Sequence, residues 1–234
     1  MKRVVFEKLA EMRTAKTPVA VLTNLRSGQQ LLVTQAGTDG DLCLDVDMIM
    51  AAQEAVKSDQ STSFETPAGK VFVHVFAPPP RLMIVGAVHI AEPLARMASL
   101  TGYGVTIIDP RRSFADSQRF DVIAVESDWP DEALERLKPD MRTAIVTLTH
   151  DPKLDDPALD AALRSDAFYV GALGSRKTHQ ARLQRLTALG HDEMALARIH
   201  GPVGLDIGAL SPAEIALSIM GQITAVRRGG TVKA

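Results

Sequence analysis

Four clusters along this chain combine residue types and spacings that could hold a charged or hydrogen-bonding ligand. In the first, Gly86, Ala87, Val88 and His89 follow the apolar run Leu82 to Val85, so a glycine turn leads out of a strand. The second is Asp109 with Arg111 and Arg112. Its acid stands about 20 residues beyond the glycine turn, where a dinucleotide-binding unit places the acceptor for a ribose hydroxyl. The third pairs His150 with Asp151, whose carboxylate would fix the imidazole tautomer and leave His150 a defined donor or acceptor. In the fourth, Gly171-Ala172-Leu173-Gly174-Ser175-Arg176-Lys177 brings two glycines, a hydroxyl and two cations to what reads as the start of a helix. Backbone N–H groups and the helix dipole would make a phosphate cradle there. Cys43 is the one cysteine, and a thiolate is both a soft ligand and a nucleophile.

These residues need elements to carry them. Residues 81–112 read as strand, glycine turn, helix, strand and terminal acid, with helical apolar spacing from Ile90 to Leu100 and a buried-type strand from Val105 to Ile108. The glycine fingerprint is incomplete. Val88 stands where a second glycine would let the backbone approach a pyrophosphate, and Ala91 stands where a third would be. The fourth cluster offsets that loss. Further strands are expected at Val122 to Val125, Ala144 to Leu148 and Ala167 to Val170, with helices near 131–138, 156–164 and 176–189. Pro152 is expected to stop any helix immediately after His150. Ser211-Pro212-Ala213-Glu214 is a capping box with proline at the first helical position, and it places Ile215, Ile219, Ile223 and Val226 on one face of a final helix. Alternating strands and helices imply right-handed crossovers and a parallel sheet, whose ligands gather at the carboxyl ends of the strands.

The proline triplet in Ala77-Pro78-Pro79-Pro80 stiffens the chain and marks a division. Residues 1–77 read as a small α+β domain. It has a helix from Lys2 to Arg13, strands at Val19 to Thr23 and Leu31 to Thr34, and a helix from Val46 to Val56 started by Asp45. A hairpin joins Phe64-Glu65 to Val71 to Phe76 across Thr66-Pro67-Ala68-Gly69. Residues 78–234 read as a Rossmann-like, doubly wound parallel sheet, so the fold class is α/β with a small α+β domain in front. Gly201-Pro202-Val203-Gly204-Leu205-Asp206-Ile207-Gly208 precedes the capped helix and would close the same crevice.

Composition removes other classes. A net charge of -2 gives no electrostatic footprint for nucleic acid. A single cysteine excludes an intrachain disulfide framework and a multi-cysteine zinc or iron–sulfur site. The charged amino terminus lacks a signal-type apolar region and no long uncharged apolar span follows, so the expected location is the cytoplasm with no membrane span.

Each cluster also has a purely structural account. Glycine turns serve tight packing in any doubly wound sheet, Arg111 and Arg112 could be a solvated pair, and His150 could belong to a hydrogen-bonded turn. His74 between Phe72 and Phe76 reads as core or edge packing, while His179, His191 and His200 lack metal-ligand spacing. For a free cysteine the default is a buried small hydrophobe.

Five motifs in order resemble those of the XdhC/CoxI family, accessory proteins that serve molybdenum hydroxylases such as xanthine dehydrogenase. They are PPPRLMIVGAVHIAEPLARMA, GYGVTIIDPRRSFA, LTHDPKLDDPAL, YVGALGSRKT and GPVGLDIGALSPAEIALSI, together spanning almost all of residues 78 to 226. The first half is similar to the family's amino-terminal domain. It departs from the pattern in lacking the Ser-Pro-Arg turn and in carrying Asp41 and Leu42 where glycines precede the cysteine. The resemblance implies a maturation factor that binds molybdenum cofactor (molybdopterin), supports its sulfuration by a partner cysteine desulfurase, and delivers it to an apo-hydroxylase, with a homodimer as the possible assembly. Gly174 to Lys177 and Asp109 would meet the cofactor's phosphate and pterin or ribose, and Cys43 its sulfur chemistry. Two readings from other classes stand beside it. One is an NAD(P)-dependent oxidoreductase with His150 as acid or base, and the other is a nucleotide-sensing module that only binds.

Overall fold

The computed structural model describes residues 1–111 and 123–230. The chain falls into two units, Met1–Pro78 and Pro79–Ala234. In the first, helix α1 (Arg3–Thr14) precedes strands β1 (Val19–Asn24), β2 (Gln30–Val33) and β3 (Thr38–Gly40). Helix α2 (Val46–Ser58) then leads to the hairpin of β4 (Thr62–Thr66) and β5 (Gly69–Phe76). The antiparallel sheet runs β3-β2-β1-β5-β4. Alternation along the strands divides the core: Ala20, Leu22, Val71 and Val73 pack with Ala52, Ala55 and Val56 of α2, while Val19 and Val21 pack with Val5 and Leu9 of α1. Asp45 starts α2 as expected, accepting a hydrogen bond from the Met48 N–H at 2.8 Å. Strand β3 was not legible in the sequence, because Thr-Asp-Gly has no apolar alternation. It forms by backbone pairing with β2, where Gly40 (φ +153) opposes Leu31 so closely that a Cβ would lie 2.3 Å from the Gln30 carbonyl oxygen.

The second unit begins with β6 (Arg81–Val85), α3 (Ala91–Leu100), β7 (Gly104–Ile108), β8 (Ala124–Glu126), α4 (Pro130–Leu137) and β9 (Thr143–Thr147). It continues with α5 (Pro152–Arg164), β10 (Tyr169–Ala172), α6 (Arg176–Ala188), the short α7 (Glu193–Leu196), β11 (Ile199–His200) and α8 (Pro212–Arg228). Its six strands are parallel and ordered β11-β10-β9-β6-β7-β8. Leu82, Ile84, Ala144 and Val146 point to one face, against α3 and Ala216, Ile219 and Ile223 of α8. Met83, Val85, Ile145 and Val170 point to the other, against α4, α5 and α6. Both faces are therefore covered, as a parallel sheet requires. Among the described residues no helix is long and apolar enough to cross a membrane.

Two boundaries and one helix face depart from the sequence reading. Helix α5 starts at Pro152, because a proline at the first helical position forfeits only an N–H that would be unpaired there, and Asp151 caps the turn by accepting from the Lys153 N–H at 3.0 Å. Strand β10 lies two residues later than expected. Arg198 takes the carbonyls of Leu163, Ser165 and Ala167 in the approach to it, and the ladder with β9 opens at Tyr169 opposite Ala144. Gly171 and Ala172 are consequently strand residues. Val226 is 39 % exposed, and the last turn of α8 meets the sheet side instead through Arg227 over the Tyr103 ring. Arg112 and Val122 lie outside the described residues.

The capping box has both limbs: Ser211 accepts from the Glu214 N–H and Glu214 accepts from the Ser211 N–H at 2.8 Å. Ser211→Ala should therefore lower the unfolding free energy by about 1 kcal/mol, measured by urea titration, with the slope of the transition unchanged.

Candidate functional site

The strand order reverses direction between β6 and β9, the switch point at whose carboxyl ends open α/β sheets place their ligands. The first loop leaves β6. Gly86 has φ +107, and a Cβ there would lie 2.6 Å from the Thr149 Cγ2, so glycine is required both by the backbone and by the close approach of the loop after β9. Ala87 is buried, Val88 packs against the core under α3, and His89 is exposed. Val88 thus fills core space at the position where the dinucleotide fingerprint has its second glycine.

Asp109 follows β7 and is fully buried. Its carboxylate accepts four hydrogen bonds: from the Ala87 N–H at 2.8 Å, the Arg111 N–H at 3.0 Å, and the Arg111 side chain at 2.9 Å and 2.7 Å. A carboxylate offers about four lone-pair sites, so this one is saturated within the protein. Burial works to raise the Asp109 pKa, but the bonds from Arg111 and Ala87 outweigh it and hold the group below the ordinary carboxylate value. Asp109 therefore fixes the first loop and orients Arg111.

The loop after β9 is Leu148 to Asp151. His150 is exposed and left-handed, with φ +60, which turns the chain into the cap of α5. Asp151 serves that cap, and among the described residues no hydrogen bond joins it to His150. The expected fixing of the tautomer by Asp151 is corrected on this point: a carboxylate turned to its own helix N–H groups is not turned to the preceding imidazole. Thr149 donates its hydroxyl to Asp155 at 2.7 Å and accepts from the Asp151 N–H at 3.1 Å.

Gly171 sits inside β10, where a Cβ would lie 2.5 Å from Val203 and 2.8 Å from Tyr169; its missing side chain makes room for packing. The loop proper is Leu173 to Ser175. Gly174 has φ +138, and Ser175 caps α6 by accepting from the Thr178 N–H at 3.1 Å. Ser175, Arg176 and Lys177 are exposed, so the first turn of α6 presents two cations and its leading N–H groups to solvent. Cys43, in the other unit, is exposed, contrary to the buried default for a free cysteine, because it follows the β3 edge in a polar segment. Among the described residues, no three His, Cys, Asp or Glu side chains gather as a metal would need.

Sequence reading missed the polar layer beneath these loops. Asp155 on α5 and Arg182 on α6 are buried, each with a 2 % exposed side chain, and face each other at 3.6 Å. Among the described residues, five buried side-chain atoms lack a hydrogen-bond partner: Thr147 Oγ1, Asp155 Oδ2, His179 Nδ1, Arg182 Nε and Arg182 Nη1. Three of the five belong to the Asp155–Arg182 pair, and each such atom costs about 1–3 kcal/mol unless water or a ligand satisfies it. Burial raises the Asp155 pKa in spite of the Thr149 hydrogen bond and the Arg182 charge, and burial likewise lowers that of Arg182. The one sequence signal was the helical spacing of Arg182, four residues before the buried Leu186 and next to Leu183, on the inward face of α6.

The Gly201 to Gly208 segment closes one side of this unit by packing and not by charge. Gly201 lies against the His179 ring, with Nδ1 2.2 Å from where a Cβ would be. His200 stacks on Tyr169 with ring centroids 4.6 Å apart, and Gln222 accepts from both the Tyr169 hydroxyl at 2.6 Å and the Gly204 N–H at 2.8 Å.

Residues 82–223 match the XdhC Rossmann domain. The chain belongs to the XdhC family. Among its relatives, PaoD of Escherichia coli, named a molybdenum cofactor insertion chaperone, is 36% identical over 65% of the chain and 42% of its own length. The uncharacterised E. coli protein YqeB is 32% identical over 68% of the chain and 30% of its own length. A Bacillus subtilis protein, named as a probable xanthine dehydrogenase subunit, is 27% identical over 97% of the chain and 66% of its own length. This XdhC chain thus spans less than two thirds of each of these relatives. A Bacillus halodurans crystal structure, described as a xanthine dehydrogenase, superposes with a TM-score of 0.73 over 97% of the chain and 67% of that protein at 23% identity, a likeness of fold.

Burial lowers the pKa of His200. A depressed folded-state value means the unfolded chain binds the extra proton first, so the stability His200 contributes is whole above the unfolded pKa of about 6.5 and is lost as pH falls through and below it. His200→Phe, which keeps the stack on Tyr169, should flatten the decline in melting temperature over the pH range just below 6.5; an unchanged profile would assign that decline to other groups.

Proposed function

We propose that this XdhC protein binds molybdenum cofactor as cargo and supports its insertion into a xanthine dehydrogenase-type molybdenum hydroxylase. The observation that carries the reading is the exposed, capped first turn of α6 beside the switch point, in a chain 36% identical to a protein named as an insertion chaperone. The cargo is a pterin with a phosphate, in some forms extended by a nucleotide, and it supplies its own metal ligands. A binding protein must therefore provide anion donors and hydrogen bonds. Arg176 and the N–H groups of the α6 turn, past Gly174 and Ser175, meet the phosphate. Arg111, held by Asp109, adds a second cation on the other side of the switch point. Gly86, Ala87, Val88 and His89 form the floor and rim between them, with Gly171 packed beneath. His150 offers its exposed ring to the pterin edge, as a hydrogen-bonding group and not a catalyst, and Asp151 holds the turn that presents it.

In the same proposal the exposed thiolate of Cys43 attacks the outer sulfur of a persulfide on a partner cysteine desulfurase, becoming a persulfide itself and releasing the desulfurase's thiolate. The competing nicotinamide reading fares less well at Asp109, whose four acceptor sites are already used within the protein. A ribose hydroxyl would have to displace Arg111 or the Ala87 N–H.

Purified protein from cells that make the cofactor should carry fluorescent pterin after oxidation, and molybdenum by elemental analysis. Absence of both from protein loaded under those conditions would sink the carrier, and consumption of nicotinamide cofactor with a small alcohol or acid would replace it. Arg176→Ala should weaken cofactor binding about ten-fold or more, the loss of one charge-assisted hydrogen bond, by direct titration. For His150, the Gln variant should keep most hydroxylase reconstitution across pH 6 to 8 while the Ala variant loses it, since Gln hydrogen-bonds without taking up a proton. A Gln variant as inactive as the Ala variant would return His150 to acid–base chemistry. Cys43→Ser should melt as wild type does, because the side chain is exposed, and should fail to support sulfuration of the client.

A further inference from the structure

The loops after β9 and β10 are joined underneath by a continuous polar path. It starts at Thr149, whose hydroxyl donates to Asp155 Oδ1 at 2.7 Å and whose N–H approaches the same oxygen at 3.4 Å. The other carboxylate oxygen faces Arg182 Nη2 at 3.6 Å, and that nitrogen donates to the Leu173 carbonyl at 2.9 Å. The guanidinium also lies directly under the glycine turn, with Nη2 3.8 Å from where a Gly174 Cβ would be. One buried ion pair is thus the support for both loops.

The pair is under-satisfied for a support that serves only stability. Among the described residues, Asp155 Oδ2, Arg182 Nε and Arg182 Nη1 have no hydrogen-bond partner, and Thr147 Oγ1, one residue before Leu148 on the same sheet face as Ile145, has none either. Apolar residues of similar volume would fill the space between α5 and α6 without that penalty. An ion pair anchored at one end by the Thr149 hydroxyl and at the other by the Leu173 carbonyl carries a displacement of either loop to the other.

We propose that Asp155 and Arg182 are positioning residues that couple the His150 loop to the α6 phosphate turn, so that a ligand ordering one loop orders the other. The ligand role rests on the carrier reading above; the coupling itself does not. The test is hydrogen–deuterium exchange with peptide resolution on the cofactor-free full chain, comparing wild type with Thr149→Val and Asp155→Asn. Thr149→Val keeps the methyl group against Gly86 and removes the hydroxyl, which donates to Asp155 and accepts from the Asp151 N–H. In both variants exchange should quicken about ten-fold more at 149–151 and at 173–175, the latter remote in sequence from either substitution, than in peptides covering β6 and β7, whose rates report the global stability lost with the hydrogen bond or the ion pair. Quickening confined to 149–151, or spread equally through those strands, would overturn the coupling. Pterin retained by Thr149→Val after expression with the cofactor should also fall below wild type at a temperature where both proteins are fully folded; full retention would overturn the functional part. If wild-type protein holds no pterin, the carrier reading fails by itself and the exchange comparison still decides the coupling.

Discussion

The hydrogen bonding of β6 governs the rest of the second unit. This strand pairs in parallel with β7 on one edge and β9 on the other, so the chain must cross over one sheet face to reach β7 and over the opposite face to build the β9 side. Helices α3 and α8 consequently cover Leu82 and Ile84, and α4, α5 and α6 cover Met83 and Val85. Opposite crossovers carry the chain away over the two faces, and the loops leaving β6 and β9 meet at the carboxyl ends, where Gly86 lies against Thr149. Buried apolar residues on both sides of every central strand make the arrangement stable, since each fully buried aliphatic side chain contributes about 1.5–3 kcal/mol relative to exposure.

Within that frame, charge is used to place loops more than to decorate a surface. Asp109 is the clearest case, because a fully buried carboxylate is tolerated only when hydrogen bonds replace its water, and here two backbone N–H groups and a guanidinium do so. The result ties the β6 loop to the β7 end. Asp155 and Arg182 do the corresponding work under the β9 and β10 loops with poorer geometry, and the unpartnered atoms there mark where the structure gives up stability. Removing one member of such a pair leaves an uncompensated buried charge, whereas an apolar replacement of both need not destabilise.

Turn geometry and packing also divide the glycines between them. Gly86 and Gly174 hold positive φ angles at loop positions, while Gly171 and Gly201 give space to Val203 and to the His179 ring. The same letter in the sequence serves a turn in one pair and a close approach in the other. The proposal of cofactor insertion rests on one relative's name, beside an exposed α6 turn carrying two cations, an arginine held by Asp109 and an exposed imidazole.

Local chemistry was enough to determine much of this protein. Period-2 and period-3.6 apolar patterns announced the alternating elements, Ser211 to Glu214 announced the start of α8, and the ordered motifs from 78 to 226 announced the family. These features depend on neighbours a few residues apart, which is the range over which a sequence speaks directly. Pro152 misled because proline ends a helix from within but suits its first position, and the choice turned on whether Asp151 would cap. Strand β3 and the register of β10 depended on partners: an edge strand to pair with in one case, and the reach of Arg198 to three carbonyls in the other. Asp155 and Arg182 lie 27 positions apart in the chain and carry no shared pattern; only the packing of α5 beside α6 makes them neighbours. Asp109 was correctly singled out as an acid at a strand end, yet whether it would face a ligand or Arg111 was decided in three dimensions, by a guanidinium two residues away that could close on it once β7 was buried.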